Sequence, residues 1–127
     1  LLDGGCTDRV PLAAFEAMGF ERNIVILTHP REHRVRDFDA AAARFVYRRY
    51  PKFVRAFEAS GRVYEAAQAL VEKRSQEGRA FVIRPARPIG IPRLTHKPDE
   101  IRRAYELGRR DAKASLSALL AWVSTFA

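Results

Sequence analysis

The stretch Asn23-Ile24-Val25-Ile26-Leu27-Thr28 (NIVILT) contains a short, unbroken apolar run. A run of β-branched residues without polar alternation is typical of a strand buried on both faces of a parallel sheet. Residues 79–84 (RAFVIR) predict a second strand, and Leu1-Leu2 is interpreted as the end of a third. Helical segments separate these runs, so the predicted class is α/β with a short, mostly parallel sheet.

Helices are predicted over four stretches, because proline, alanine and regularly spaced apolar residues recur there. These stretches begin at or near Pro11, Phe38, Pro51 and Pro98. Gly19 and Gly78 are natural stops for the first and third helices, since glycine adopts the left-handed conformation that ends many helices. Asp99 and Glu100 favour the start of the last helix, where the helix dipole is positive.

Three candidate strands are too few to form a parallel sheet that has neighbours on both edges and helices on both faces. We therefore expect residues 1–127 to be the C-terminal part of one larger α/β domain. Within it, residues 38–77 are interpreted as a helical insertion or cover region. The missing strand neighbours are expected from an N-terminal half of the same domain or from a second copy in a homo-oligomer.

Composition limits the other classes of protein. The single cysteine, Cys6, excludes an internal disulfide framework, and the apolar stretches are too short to span a membrane. His29 and His33 are four residues apart, but Pro30 lies between them and argues against a helical metal pair. No metal site and no cofactor are predicted, and Cys6 is expected to be a small, buried residue.

The net charge of +8 indicates attraction to polyanions. Two clusters carry much of this charge: Arg44, Arg48, Arg49, Lys52 and Arg55, and Arg102, Arg103, Arg109, Arg110 and Lys113. Such clusters form either an ordinary solvated surface or a contact with an anionic membrane. A nucleic-acid partner is disfavoured, since no helix-turn-helix, zinc-finger or base-stacking signature is present.

The segment Asp3-Gly4-Gly5-Cys6-Thr7-Asp8-Arg9-Val10-Pro11 has two interpretations. Asp-Gly alone is a strong turn signal. With the helix and strand that follow, however, the segment resembles the D-G-G motif of patatin-like phospholipases of the bacterial branch. Thr28-His29-Pro30-Arg31 and Tyr105-Glu106-Leu107-Gly108-Arg109 add to this resemblance, which covers residues 1–31 and about 98–115.

The resemblance implies a three-layer α/β/α domain that hydrolyses lipid acyl esters with a Ser-Asp dyad. Asp3 would be the catalytic base, Gly4 and Gly5 would shape the motif, and Asp8 and Pro11 would have structural roles near the site. The family's serine lies in a G-x-S-x-G turn, which this sequence lacks. The nucleophile and the oxyanion donors are therefore expected before Leu1, and residues 1–127 alone are expected to be inactive.

A carboxylate is a weak base at neutral pH unless partial burial raises its pKa, so we expect Asp3 to be partly buried. The expected partner is a lipid or ester substrate, and the expected location is the cytoplasm, at times on the membrane periphery. The alternative is a non-catalytic basic domain that binds nucleic acid or a membrane surface.

Overall fold

A computed structural model of the chain describes residues 3–32, 40–92 and 95–126, with the side chains of 40–42 left out. A 3₁₀ turn at Gly4–Cys6 comes first. The elements that follow are α1 (Leu12–Ala17), β1 (Asn23–Ile26), α2 (Ala40–Val46), α3 (Pro51–Gln76), β2 (Ala80–Ile83) and α4 (Pro98–Ser124). The described residues thus form a mixed α/β structure, as the sequence predicted. The proposed strand end at Leu1-Leu2, the predicted helix start near Phe38 and His33 lie outside them.

The two strands form a parallel sheet, which confirms the predicted strand direction. Their register runs from Asn23 opposite Ala80 to Ile26 opposite Ile83. The Asn23 amide donates to the Arg79 carbonyl at 3.1 Å, and the Leu27 amide donates to the Ile83 carbonyl at 2.9 Å.

The hydrophobic core lies on one face of this sheet. It is built from Leu12 of α1, Val71 of α3, Ala80 of β2, and Val25 and Leu27 in and just after β1. Val71 is fully buried, with 0% of its surface exposed. Helices α1 and α3 therefore cover this face because each presents an aliphatic side chain to the sheet.

The opposite face of β1 is open among the described residues. Ile24 and Ile26 are 50% and 72% exposed, so the prediction that this strand is buried on both faces is wrong for this part of the chain. The physical reason is the position of α4, which contacts this face of the sheet at β2. Trp122 of α4 packs on Phe81 of β2 with ring centroids 5.9 Å apart, and this contact leaves the neighbouring strand β1 uncovered.

The starts of α3 and α4 and the ends of α1 and α3 follow the sequence signals closely. Pro51 and Pro98 occupy the first turns of α3 and α4, and Asp99 and Glu100 follow in the first turn of α4. Gly19 and Gly78 lie just beyond α1 and α3 with φ angles of +93° and +70°, a region that favours glycine. Pro11 immediately precedes α1 rather than forming its first residue.

Helix α4 has an apolar stripe that the described residues leave largely uncovered. Ile101, Tyr105, Leu116 and Leu120 are all at least half exposed. The helix is attached near its C-terminal end, where Trp122 Nε1 donates to the Gly78 carbonyl at 3.0 Å. None of the described helices is both long and apolar enough to cross a membrane.

Candidate functional site

The Asp3 loop, residues 3–11, begins with a tight turn. Asp3 Oδ1 accepts a hydrogen bond from the Gly5 amide at 2.9 Å, and the Asp3 carbonyl accepts from the Cys6 amide at 3.0 Å. Asp3 therefore caps the 3₁₀ turn, as expected for aspartate before glycine. This local role confirms the turn interpretation and leaves the role as a catalytic base a prediction.

The Asp3 carboxylate is open to solvent, so the expectation of partial burial is wrong for this structure. Oδ1 is held by the Gly5 amide, and Oδ2 makes no hydrogen bond within the part of the chain that the structure describes. The cause is the loop's position at the surface, where none of the described elements covers the carboxylate. A second chemical group can therefore approach Oδ2 directly.

Gly4 and Gly5, the expected motif-shaping residues, have ordinary backbone conformations. Neither has a positive φ angle, so the turn itself does not require glycine. A Cβ atom at Gly4 would meet nothing within 4 Å, and a Cβ atom at Gly5 would lie 3.4 Å from Asp3 Oδ1. A Cβ atom would therefore fit at both positions, and among the described residues neither the space nor the backbone requires glycine there.

Asp8 has the structural role that the sequence predicted. Its Oδ1 accepts a hydrogen bond from the Val10 amide at 3.1 Å, and its own amide donates to the Gly4 carbonyl at 2.9 Å. These bonds connect the turn to the start of α1, which Pro11 precedes. Asp8 thus orders the loop by satisfying backbone donors before the helix.

Arg9 is a residue of this loop that the sequence did not single out. Its Nε donates to the Gly5 carbonyl at 3.4 Å, and its guanidinium lies 5.7 Å from the centre of the Tyr64 ring. Tyr64 is buried in α3. Arg9 therefore links the Asp3 loop to the longest helix of the core, and no motif in the sequence indicates this pairing.

An open groove of about 210 Å³ lies beside the loop. Its lining includes Arg9, Val10 and Pro11 from the loop, Leu12 and Phe15 from α1, and residues 23–27. Most of these side chains are apolar, so the groove suits an aliphatic or aromatic occupant. Asp3 does not line the groove, and the structure brings Val10 and Pro11 to it instead.

The described residues supply no second catalytic group to Asp3. Ser115 and Ser124 donate to backbone carbonyls within α4, and Ser60 is buried in α3. Cys6 is a free, half-buried thiol. Across the described ranges, no set of three or more histidine, cysteine, aspartate or glutamate side chains could hold a metal ion.

The described residues form an α/β protein in which a surface Asp-Gly-Gly loop precedes a helix and a parallel strand. Residues 50–124 match the family described as a domain of unknown function (DUF6363). This match spans more than half of the chain, and the chain belongs to that family. The matched segment contains α3, β2 and α4. No curated protein matches the chain, and no solved structure matches it.

Proposed function

We propose that this chain contributes the base of a Ser-Asp dyad in a patatin-like lipid acyl hydrolase. The observation that carries the proposal is the state of Asp3: one carboxylate oxygen is anchored by the Gly5 amide and the other is open. The order of the Asp-Gly-Gly turn, Asp8, Val10-Pro11, α1 and β1 supports it, since this is the order that the resemblance requires.

In the proposed reaction, Asp3 Oδ2 accepts the proton of a serine hydroxyl as the serine oxygen attacks the ester carbonyl. The tetrahedral intermediate then loses the alcohol, which takes up that proton. Water then attacks the acyl-serine while Asp3 accepts the proton of the water. The serine oxygen takes up that proton as it leaves, which releases the acid. The bond from the Gly5 amide restricts the carboxylate to one orientation, which reduces the entropy cost of proton transfer.

The serine and the oxyanion donors of this proposal come from outside residues 1–127, because no G-x-S-x-G turn occurs in the sequence. We propose that the chain forms the C-terminal portion of a three-layer α/β/α domain. Two observations support this arrangement. Helices α1 and α3 cover one face of the sheet, and Trp122 of α4 contacts the other face at Phe81.

Replacing Asp3 by asparagine in the full-length protein tests the base. The asparagine side chain retains an oxygen for the Gly5 amide, so the turn is preserved while the proton acceptor is lost. We expect kcat/KM for a short-chain nitrophenyl ester to fall by about 10²–10⁴-fold. Circular dichroism and thermal unfolding should show an unchanged fold.

Asp8→Asn is the matched control, because it makes the same chemical change five residues along the same loop. Its oxygen can still accept from the Val10 amide, and we expect wild-type activity within a few-fold. Full activity in Asp3→Asn would exclude the dyad. An equal loss in both variants would assign the effect to loop structure rather than to proton transfer.

A non-catalytic domain that binds anionic surfaces is the second candidate function. The exposed basic residues between α2 and α3 favour it, and they do not depend on Asp3. A full-length protein without ester hydrolase activity, but with specific binding to an anionic surface, would support this candidate over the hydrolase.

A further inference from the structure

The turn that joins α2 to α3 lies in a hydrogen-bonded segment, which we call the basic corner (residues 44–55). The Tyr47 amide donates to the Ala43 carbonyl at 2.9 Å, and the Tyr50 amide donates to the Tyr47 carbonyl at 2.8 Å. The Val54 amide then donates to the Tyr50 carbonyl at 3.1 Å. Hydrogen bonds therefore continue through the turn from one helix into the next.

Aromatic packing supports the corner from inside. The Tyr47 and Phe53 rings meet edge to face with centroids 4.9 Å apart, and Phe53 lies 5.8 Å from Phe57 in the next turn of α3. Ala43 and Val54 are buried beside them. The corner thus has its own small apolar interior, built from Ala43, Tyr47, Phe53, Val54 and Phe57.

Three large apolar side chains of the corner point away from this interior. Phe45, Val46 and Tyr50 are 74%, 67% and 66% exposed. Each keeps about two thirds or more of its surface in water, although the neighbouring Tyr47 and Phe53 are partly shielded. Large exposed apolar side chains that lie within six residues of one another are consistent with an interaction surface.

The same twelve residues contain five cations and no acidic residue: Arg44, Arg48, Arg49, Lys52 and Arg55. Arg44 forms an ion pair with Glu58 of α3. The other four make no ion pair with the residues that the structure describes, and the Arg48 guanidinium lies 5.7 Å from the centre of the Phe45 ring. The corner therefore places unpaired positive charge around exposed apolar groups.

The second basic cluster, on α4, differs in its charge balance. Residues 98–113 contain five cations, but Asp99, Glu100, Glu106 and Asp111 are interspersed among them. The net charge of that stretch is +1, against +5 for the basic corner. A polyanionic surface therefore meets a concentrated positive field at the corner and a nearly balanced one on α4.

We propose that the basic corner docks on the surface of an anionic lipid bilayer. Phe45, Val46 and Tyr50 enter the headgroup region, where aromatic and aliphatic side chains are favourable, and the surrounding cations contact lipid phosphates and carboxylates. A nucleic acid would use the cations and an aromatic ring, but it offers no favourable environment for Val46. The chemistry of the patch therefore fits a lipid surface better.

The corner is distant from the Asp3 loop, which allows separate tests. Arg9 of that loop contacts Tyr64, and Tyr64 lies about 20 Å along α3 from Pro51. Docking and hydrolysis can therefore be measured independently. Vesicles of ether-linked lipids, which an ester hydrolase cannot cleave, keep the docking measurement free of any hydrolysis.

The test uses sedimentation of the full-length protein with ether-linked phosphatidylcholine vesicles, with and without about one part in five of phosphatidylserine. We expect binding to require the anionic lipid and to weaken with added salt. Arg48→Gln combined with Arg49→Gln should weaken binding about 25-fold, or about fivefold for each cation. Phe45→Ser combined with Tyr50→Ser should also weaken it while leaving its salt dependence in place.

The matched control is Arg109→Gln combined with Arg110→Gln, which removes the same charge from α4. We expect it to change binding less than about threefold, because binding depends on the corner rather than on total charge. An equal loss in the two arginine pairs, or indifference of the wild type to lipid charge, would overturn the proposal. The proposal would also be overturned if the corner substitutions weakened binding to duplex or single-stranded DNA, at matched salt, but left binding to vesicles unchanged.

Discussion

Arg74, near the end of α3, makes the densest set of ionic contacts among the described residues. Its Nε and Nη2 donate to the two carboxylate oxygens of Glu16 at 2.5 and 2.9 Å, and its Nη1 donates to Glu77 at 2.8 Å. The Arg74 and Glu16 side chains are only 18% and 16% exposed. This two-point pairing connects α1 to the end of α3 with a defined geometry.

The hydrogen bonds from Arg74 hold the pKa of Glu16 below its ordinary value of 4.5. A lowered pKa means that the folded state binds the proton more weakly than the unfolded state. The pair therefore contributes its full stability above the ordinary pKa and loses it as the pH falls through the lowered value.

We predict that Glu16→Gln removes part of the acid sensitivity of folding. The wild type should lose thermal stability as the pH falls below about 5. The variant should be less stable at neutral pH and should show a flatter decline in acid. Unfolding midpoints by circular dichroism over a pH series measure both effects.

Glu21→Gln serves as the control for this prediction. Glu21 is exposed, and its carboxylate makes no ion pair with the described residues. The control should follow the wild-type pH curve. A Glu16→Gln curve parallel to that of the wild type would contradict the proposed contribution of the pair.

At the scale of elements, α3 is the helix on which the core depends. It extends over 26 residues, and one of its faces carries Val54, Ser60, Tyr64 and Val71, all buried. Val71 lies near its C-terminal end and packs with both strands and α1. The opposite side carries charged residues, so the helix has the amphipathic pattern of a core-facing element.

We predict that Val71→Ala lowers the free energy of unfolding by about 2–3 kcal/mol, because it removes two buried methyl groups and leaves a cavity. Val63→Ala is the same substitution on the exposed side of α3, where Val63 is 38% exposed. It should change stability by less than about 0.5 kcal/mol. Urea unfolding of both variants measures the difference, and equal effects would contradict the assigned core.

The starts of α3 and α4 and the ends of α1 and α3 could be predicted from the sequence to within about one or two residues, because their signals are local. The end of α2 could not: the apolar spacing continues to Tyr50, but the helix ends at Val46. Pro51 and Pro98 begin helices, and Gly19 and Gly78 follow helix ends at positive φ. Each signal acts through the steric properties of a single residue. The burial of β1 could not be predicted in this way, since it depends on which distant segments cover each face.

At the scale of the whole molecule, the open edge of β1 is the main unsatisfied feature of the described sheet. The amides of Asn23 and Leu27 bond to the carbonyls of Arg79, just before β2, and Ile83, at its end. Backbone groups alternate in direction along a strand, so those of Ile24 and Ile26 point to the opposite edge. None of the described residues pairs with that edge, where an apolar face and free backbone donors occur together.

The proposed three-layer domain requires a further strand at this edge in the full-length protein. We predict that the amides of Ile24 and Ile26 exchange hydrogen as slowly as the amide of Leu27, which is bonded to Ile83. Residue-resolved hydrogen–deuterium exchange provides the measurement. Rapid exchange at Ile24 and Ile26 beside slow exchange at Leu27 would show an unpaired edge and would contradict the three-layer arrangement.

The candidate site was predictable only in its local parts. Asp3 and Asp8 bond to amides two residues away, a reach that sequence patterns describe well. The contact of Arg9 with Tyr64 and the exposure of Asp3 were not predictable. Both depend on where α3 lies relative to the loop, and the intervening chain carries no motif for that placement.

By itself, the sequence determined the α/β class, the parallel direction of the strands, the starts of α3 and α4, and the turn at Asp3-Gly4-Gly5, because each depends on the conformational preferences of neighbouring residues. Only the tertiary structure decided that Ile24 and Ile26 are exposed, that Asp3 has one free oxygen, and that four cations of the basic corner are unpaired among the described residues. These properties depend on contacts between residues far apart in the chain, and local preference does not contain that information.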